Sequence, residues 1–137
     1  KGSGLFGVKK YITRYELSAS SEASAEYAAV FANDQNYATL WKSAPDDENP
    51  WLMMDLGRCC NVEVQKIRFE YAWKTYAFTV QYSKHGQDWS VLEAFSENPI
   101  TGSPVVISTP VVARFLRLDF SNTTEMRPAV FEWIPSF

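Results

Sequence analysis

Apolar and polar side chains alternate with a period of two in several short runs of this chain. From Ile67 to Tyr71 the odd-numbered residues are apolar and the even-numbered ones are charged. From Leu116 to Phe120 the even-numbered residues are apolar, and Arg117 and Asp119 stand between them. A period of two places one face of a β-strand on a core and the other in water. The pattern therefore predicts half-buried strands of an antiparallel sheet.

Runs rich in β-forming residues recur along the chain, separated by polar, Gly and Pro turn signals. The predicted strands are Tyr15–Ser20, Trp51–Leu56, Val64–Tyr71, Ala77–Ser83, Trp89–Phe95, Val105–Ser108, Ala113–Ser121 and Ala129–Ile134. Short strands at this spacing are typical of an antiparallel sandwich or barrel. Ala23–Ala32 is the only segment that could be helical, and we expect a turn-like segment that does not pack on the core. Residues 1–8 are expected to be a linker or expression remnant, and residues 9–137 a single all-β domain.

Two turn predictions follow from Gly positions. Asp55-Leu56-Gly57 is expected to close a strand, because these are turn formers. Lys84-His85-Gly86 is expected to form a tight hairpin with Gly86 at positive φ. His85 is the only histidine, and with no Ser or Cys partner in view it is interpreted as a turn residue and not as a catalytic base.

The neighbouring cysteines, Cys59 and Cys60, are the only two in the chain. A bridge between adjacent residues would strain the backbone, and zinc needs about four ligands. We therefore interpret both as small apolar side chains in a turn or strand.

Composition narrows the class of partner. The 137 residues are 46% hydrophobic, 21% charged and 15% aromatic, with a net charge of −3. Aromatic side chains at this level suit a thick core or a surface that stacks on flat ligands. The densest basic cluster is Lys9, Lys10 and Arg14, and a nucleic-acid partner is not expected for so acidic a chain. No apolar run approaches the ~20 residues that span a bilayer.

Three stretches, in order, carry a resemblance to a known family. They are Asp34–Trp41 followed by Trp51–Gly57, then Val80–Trp89, then Ala113–Leu118 with Phe131-Glu132. Together they resemble the coagulation factor V/VIII type C (discoidin) domain and its relative, carbohydrate-binding module family 32, over roughly residues 15–134. The resemblance implies a jelly-roll β-sandwich (galactose-binding-domain-like) of about eight strands. It also implies a non-catalytic, glycan-binding module excised from a larger secreted bacterial glycoside hydrolase, with a covalently linked catalytic domain. A secreted, periplasmic or cell-surface location follows from the same resemblance.

The resemblance also implies a structural calcium ion in the Asp34-x-Asn36-x-x-Thr39 loop. Its ligands would be the carbonyls of Phe31 and Asn36, the Asp34 carboxylate, Thr39, and Glu132 from the last strand. Calcium takes six to eight oxygen ligands of these kinds. The alternative is an Asx-turn that needs no metal, since Asp and Asn are common turn formers.

Sugar recognition needs an aromatic platform for a pyranose face and charged groups for its hydroxyls. By resemblance these groups come from loops at one end of the sandwich, and here they would be Glu22, Lys42, Trp73, Lys74, Met126 and Arg127. Trp73 has two interpretations: an exposed platform, or a ring that continues the parity of Ile67 and Phe69 and packs inward. Relatives that hold galactose often use His or Arg where Lys42 and Trp73 stand. The resemblance therefore leaves two alternatives open, a galactose-type sugar or a different sugar.

Other functions are weaker alternatives. The acidic run Asp46-Asp47-Glu48 could be a carboxylate pair for glycoside hydrolysis, but adjacent acids in a mobile loop have nothing to separate their pKa values. A solvated loop is the preferred interpretation. Phospholipid- or protein-binding discoidin domains are a second possibility, although these acids and Glu125 would repel an anionic membrane. A structural spacer that binds nothing is the third.

Overall fold

The computed structural model describes residues 15–96, 98–102, 104–121 and 127–137. In those residues eleven strands form three antiparallel sheets. The strands are β1 Glu16–Ala19, β2 Trp41–Lys42, β3 Trp51–Val62, β4 Val64–Phe69, β5 Thr75–Tyr76, β6 Thr79–Ser83, β7 Ser90–Ala94, β8 Ile100–Thr101, β9 Val105–Ile107, β10 Val111–Asp119 and β11 Ala129–Ser136. All eight predicted strands are present, and the three two-residue strands β2, β5 and β8 were not predicted.

The two larger sheets pack face to face as a β-sandwich. The five-stranded sheet has the order β1-β3-β10-β6-β7, and the four-stranded sheet has the order β9-β4-β11-β2. The short strands β5 and β8 pair beside them. Neighbours that are distant in sequence, such as β3 with β10 and β4 with β11, are the crossovers expected of a jelly roll. The all-β jelly-roll prediction is confirmed.

Period-two alternation decides which side chains form the core. Ile67 and Phe69 are buried while Arg68 lies on the outer face of the same strand. The inner face of the opposite sheet contributes Leu116 and Leu118, both fully buried. Aromatic rings fill one end of the core. The Phe69 ring stacks on Tyr76 with the ring centroids 4.0 Å apart, and it meets Phe78 and Phe120 edge to face at centroid distances of 5.4 and 6.2 Å. Phe78 and Phe120 are tilted against each other at 5.5 Å.

The prediction for Ala23–Ala32 was wrong in one respect. The segment forms two 3₁₀-helices, Ala25–Tyr27 and Ala29–Asn33, as its turn-like character suggested. The second helix packs against β1 and β11, and both Ala29 and Ala32 are buried in the core. Because alanine side chains are small, the helix can lie close to these two strands. The segment therefore packs on the core, contrary to the prediction.

The prediction that Gly57 ends a strand was also wrong. Strand β3 continues to Val62, and Gly57 has φ +86° within it. The pairing with β10 shifts register here, because Phe115 faces Asp55 whereas Ala113 faces Cys60. The extra residues form a bulge, which absorbs the turn-forming sequence without ending the strand.

Strands β6 and β7 form the predicted hairpin with Gly86 at positive φ, but the loop is longer than the tight turn that was expected, because the last pair joins Tyr82 to Ser90. Gly86 has φ +83°, and the Ser83 hydroxyl accepts hydrogen bonds from the backbone N–H groups of His85 at 3.2 Å and Gly86 at 2.7 Å. Cys59 and Cys60 are free and lie on β3. No helix in the described residues is long and apolar enough to cross a membrane. The linker expected at residues 1–8, together with Glu125 and Met126, lies outside the described residues.

Candidate functional site

Several loops meet at one end of the sandwich, here called the loop end: residues 20–24, 43–50, 70–74 and 127–128. Backbone hydrogen bonds join them: Ala23 N–H to Lys42 O at 2.8 Å, Ser43 N–H to Pro128 O at 3.3 Å, and Glu70 N–H to Ala129 O at 3.0 Å. These bonds fix the loops on the ends of β2, β4 and β11. The predicted sugar-binding residues with described positions lie here, apart from Lys42, which is the last residue of β2 and directly precedes the 43–50 loop.

An exposed group of aromatic rings stands on the loop after β4. Trp73 is 72% exposed and Tyr71 is 38% exposed, with ring centroids 5.6 Å apart. The Nζ atom of Lys74 lies 5.2 Å from the centroid of each ring. We call Tyr71, Trp73 and Lys74 the aromatic shelf.

Of the two interpretations of Trp73, the exposed one is observed. Strand β4 ends at Phe69, so the inward parity of Ile67 and Phe69 does not extend to Trp73. The ring is therefore free to stack on a ligand. Tyr71 was not predicted as a site residue, because the sequence pattern assigned it to the strand.

Lys42 forms an ion pair with Glu70, and the Nζ–Oε2 distance is 3.2 Å. The same amine lies 5.1 Å from the ring centroid of Tyr27. Glu70 was predicted only as an outward-facing strand residue, and its place one residue before Tyr71 brings this ion pair to the shelf. The one feature of the sequence that could have identified Glu70 as a site residue is its outward position in the period-two pattern.

The other predicted sugar ligands have structural contacts of their own. The Glu22 carboxylate accepts a hydrogen bond from the backbone N–H of Ala29 at 2.8 Å, at the start of the second 3₁₀-helix. Arg127 donates to the carbonyl of Ser43 at 3.4 Å and is exposed. Both side chains lie at the loop end, and each keeps polar atoms available for a ligand.

The acidic run at 46–48 is solvated as expected at Asp46 and Glu48, which are exposed, but not at Asp47. Asp47 is half-buried and accepts hydrogen bonds from the hydroxyls of Ser20 at 2.6 Å and Ser21 at 2.5 Å. Burial raises the pKa of Asp47, but these two hydrogen bonds and a third from the N–H of Asn49 together lower it by more, so the pKa lies below its ordinary value. Asp47 therefore ties the 20–24 loop to the 43–50 loop as an ionised acceptor.

Four of the five predicted calcium ligands come together on the side of the sandwich covered by the second 3₁₀-helix: Asp34, Asn36, Thr39 and Glu132. The fifth, Phe31, lies in that helix. The Glu132 carboxylate is buried and accepts hydrogen bonds from the N–H groups of Asp34 and Gln35, each at 3.2 Å. The Thr39 hydroxyl donates to the Asp34 carboxylate at 2.5 Å. Burial, and next the hydrogen bond to the Asp34 side chain, raise the pKa of Glu132 to about 7. Two acidic side chains this close, one of them buried, fit a cation.

The Asx-turn alternative is also visible. Asp34 Oδ1 accepts from the N–H of Asn36 at 3.1 Å, and Asn36 Oδ1 accepts from the N–H of Ala38 at 2.9 Å. Among the described residues no three His, Cys, Asp or Glu side chains cluster as a metal site would, so a calcium ion here would rely on Thr39 and backbone carbonyls. The calcium ion therefore stays a prediction.

The family model for the F5/8 type C domain matches residues 16–132. No curated protein matches the chain. Among solved structures, chitosan-binding module 1 of a chitosanase/glucanase from Paenibacillus sp. IK-5 has a TM-score of 0.79 at 22% identity, covering 90% of this chain and 96% of that one.

Two further structures give the same picture. The family 32 carbohydrate-binding module of Clostridium perfringens NanJ, in complex with galactose, has a TM-score of 0.75 at 15% identity, covering 89% and 93% of the two chains. A glycoside hydrolase has a TM-score of 0.79 at 23% identity, covering 96% of this chain and 33% of that one. At these identities the structural likeness establishes the fold.

Proposed function

The chain belongs to the F5/8 type C domain family, and on that premise we propose that it is a non-catalytic carbohydrate-binding module whose sugar stacks on the aromatic shelf. The observation that carries the proposal is the 72% exposure of Trp73. A large ring held in water is costly unless a ligand covers it, and one face of a pyranose ring is apolar enough to do so.

Polar groups beside the shelf supply the second requirement. The Lys74 amine next to the rings and the Lys42–Glu70 pair offer charged donors and an acceptor for sugar hydroxyls. Bonds to charged groups contribute about 1.5–3 kcal/mol each, and they fix the orientation of a ligand that stacking alone would leave free to rotate. Stacking and charge together give a weak but directional site.

The proposed biological role is to hold a catalytic domain near glycan. Support comes from the glycoside hydrolase in which the matched part is 33% of the chain, and from the module derived from a chitosanase/glucanase. Weak affinity in one module becomes useful when modules are joined, because linked sites act at high effective concentration. Such an enzyme would be secreted, periplasmic or attached to the surface of a bacterium.

The test is a glycan-array and affinity-gel screen of the wild type beside Trp73→Ala. Phe137→Ala is the matched control, because Phe137 is a 58% exposed ring that packs edge to face on Tyr15, away from the loop end. We expect the wild type and Phe137→Ala to be retained by the same glycan and Trp73→Ala to be lost, with all three cooperatively folded. Retention of none of the three on any glycan would contradict the proposal and leave a structural spacer.

A further inference from the structure

A groove lies on the outer face of the four-stranded sheet, beside the aromatic shelf. Its volume is about 470 Å³, and its lining residues are Tyr37, Arg68, Phe69, Glu70, Ala72 and Phe131. This volume falls in the range of ~300–1,000 Å³ that is usual for small-ligand sites. Apart from Glu70 and Ala72, which lie in the 70–74 loop, none of these residues belongs to the site described above.

The groove and the shelf share one stretch of backbone. Glu70 and Ala72 line the groove, whereas Tyr71 and Trp73, which alternate with them, form the shelf. A ligand longer than one sugar unit can therefore extend from the shelf into the groove.

The charge in the groove is set by Arg68. Its guanidinium lies 5.3 Å from the ring centroid of Tyr37, which is itself 58% exposed. Within the described part of the chain the Arg68 guanidinium makes no hydrogen bond and no ion pair, while the backbone of this residue pairs with Glu132 in the sheet. The only other charged lining residue, Glu70, is paired with Lys42 at 3.2 Å. Of the two charged lining residues, only Arg68 thus has no ion-pair partner in the described residues, in a chain whose net charge is −3.

A guanidinium held against an aromatic ring keeps its N–H groups in a fixed plane. That planar fork matches the two oxygens of a carboxylate, which it can bind in bidentate fashion. A neutral hydroxyl uses only one of the donors.

We propose that the groove binds a carboxylate-bearing sugar unit, of the hexuronate class, next to the unit on the aromatic shelf. This inference rests on the proposed glycan-binding function and narrows its ligand to an acidic glycan. Arg68 is the specificity-determining residue, and the Tyr37 ring orients its guanidinium.

The experiment measures binding of trigalacturonate and of its methyl ester by calorimetry at low salt. The two trisaccharides share a backbone and differ in charge. We expect the wild type to bind the acid about tenfold more tightly than the ester, the size of one charge-assisted interaction. Arg68→Gln should remove this preference, and Arg68→Lys should keep only part of it because the ammonium has no fork. Lys66→Gln is the matched control, since Lys66 is exposed on the same face of β4, two residues away, and it should bind like the wild type.

Each outcome has a distinct meaning. Equal affinity for acid and ester, both weakened by Trp73→Ala, would overturn the groove proposal while the glycan-binding function stands. The same follows if the preference survives Arg68→Gln or is lost equally in Lys66→Gln. If neither trisaccharide binds and the glycan screen also retains nothing, the proposed function itself fails.

Discussion

The carboxylate of Glu132 accepts a hydrogen bond from the backbone N–H of Asp34 at 3.2 Å, across 98 residues of sequence. Glu132 lies in the last strand and is buried, whereas Asp34 follows the second 3₁₀-helix. The contact joins the long loop between β1 and β2 to the end of the chain. Asn33 reinforces it, because its side-chain amide donates to the carbonyl of Trp133 at 2.7 Å. Any cation held here would act as a structural clamp.

Calcium is expected to stabilise the fold through this clamp. At calcium concentrations 100 times the dissociation constant, a site specific to the folded state contributes about 2.7 kcal/mol, which raises Tm by roughly 5–10 °C. Thermal melts in calcium and in chelator measure the shift. Asp34→Asn keeps an oxygen for the Asx-turn but removes the charge, so it should lose the shift. Asp88→Asn, at an exposed acid in a turn, should keep it. An unchanged wild-type midpoint would argue against the ion.

Acid is expected to weaken the contact between Asp55 and Arg114. Arg114 Nε and Nη2 donate to the two Asp55 oxygens at 2.9 and 3.1 Å. The hydrogen bonds from Arg114 hold the pKa of Asp55 below its ordinary value, with a further bond from the N–H of Gly57, although burial opposes them. A lowered folded-state pKa means that the ionised carboxylate stabilises the protein above the unfolded pKa of about 3.9 and that this stabilisation is lost as pH falls through the folded value.

Urea unfolding at pH 7 and pH 3 checks the sign. The free energy lost on Asp55→Asn should be larger at pH 7 than at pH 3, because pH 3 lies below the unfolded pKa, where the unfolded chain binds a proton at Asp55 and part of the stabilisation by the ionised contact is gone. Asp88→Asn provides the comparison for a carboxylate outside this contact. A difference between wild type and Asp55→Asn that does not change with pH would contradict the assignment.

Two glycines at positive φ should differ in their tolerance of alanine. A Cβ at Gly57 would meet nothing within 4 Å, so Gly57→Ala should cost only the left-handed backbone strain, about 1–2 kcal/mol. A Cβ at Gly86 would lie 3.3 Å from the Phe115 ring, so Gly86→Ala should cost more. Denaturant unfolding of the two variants ranks them. The reverse order would mean that the Phe115 ring moves aside freely.

The buried pair of Trp133 and Gln65 should show non-additive energetics. The indole N–H donates to Gln65 Oε1 at 2.9 Å, and Gln65 Nε2 has no partner in the described residues. Trp133→Phe leaves the amide oxygen unpaired too, costing roughly 1–3 kcal/mol beyond the lost packing. Adding Gln65→Met removes the unpaired amide. The double variant should therefore lose about 1 kcal/mol less unfolding free energy than the two single variants lose together. Strict additivity would show that the hydrogen bond contributes nothing.

Local pattern was sufficient to predict the strands and their faces. The alternation at Ile67 and Phe69, and again at Leu116 and Leu118, follows from the geometry of one extended backbone. Gly86 at positive φ likewise follows from residue type and its immediate neighbours. The calcium-loop residues Asp34 and Glu132 were paired by resemblance, and the structure brings them into contact.

Long-range pairing was beyond the local pattern. Whether Trp73 continued the inward parity of Ile67 depended on where β4 stops, and the last pairing of β4 with β11, between Phe69 and Val130, settles that. Strand β3 passes Gly57 because β10 offers it a partner beyond the bulge. Hydrogen bonds between strands depend on residues far away in sequence, so neither outcome has a local signal.

The amino-acid sequence by itself thus determined the class of fold, the longer strands and the types of side chain present in the loops. Tertiary structure alone decided which of those groups meet. Lys42 and Glu70 pair across 28 residues, and Arg68 lies beside Tyr37 to form the groove. Side-chain alternation is a property of one strand, whereas a binding surface is a property of the ends of several strands. Only the packing of two sheets brings those ends together.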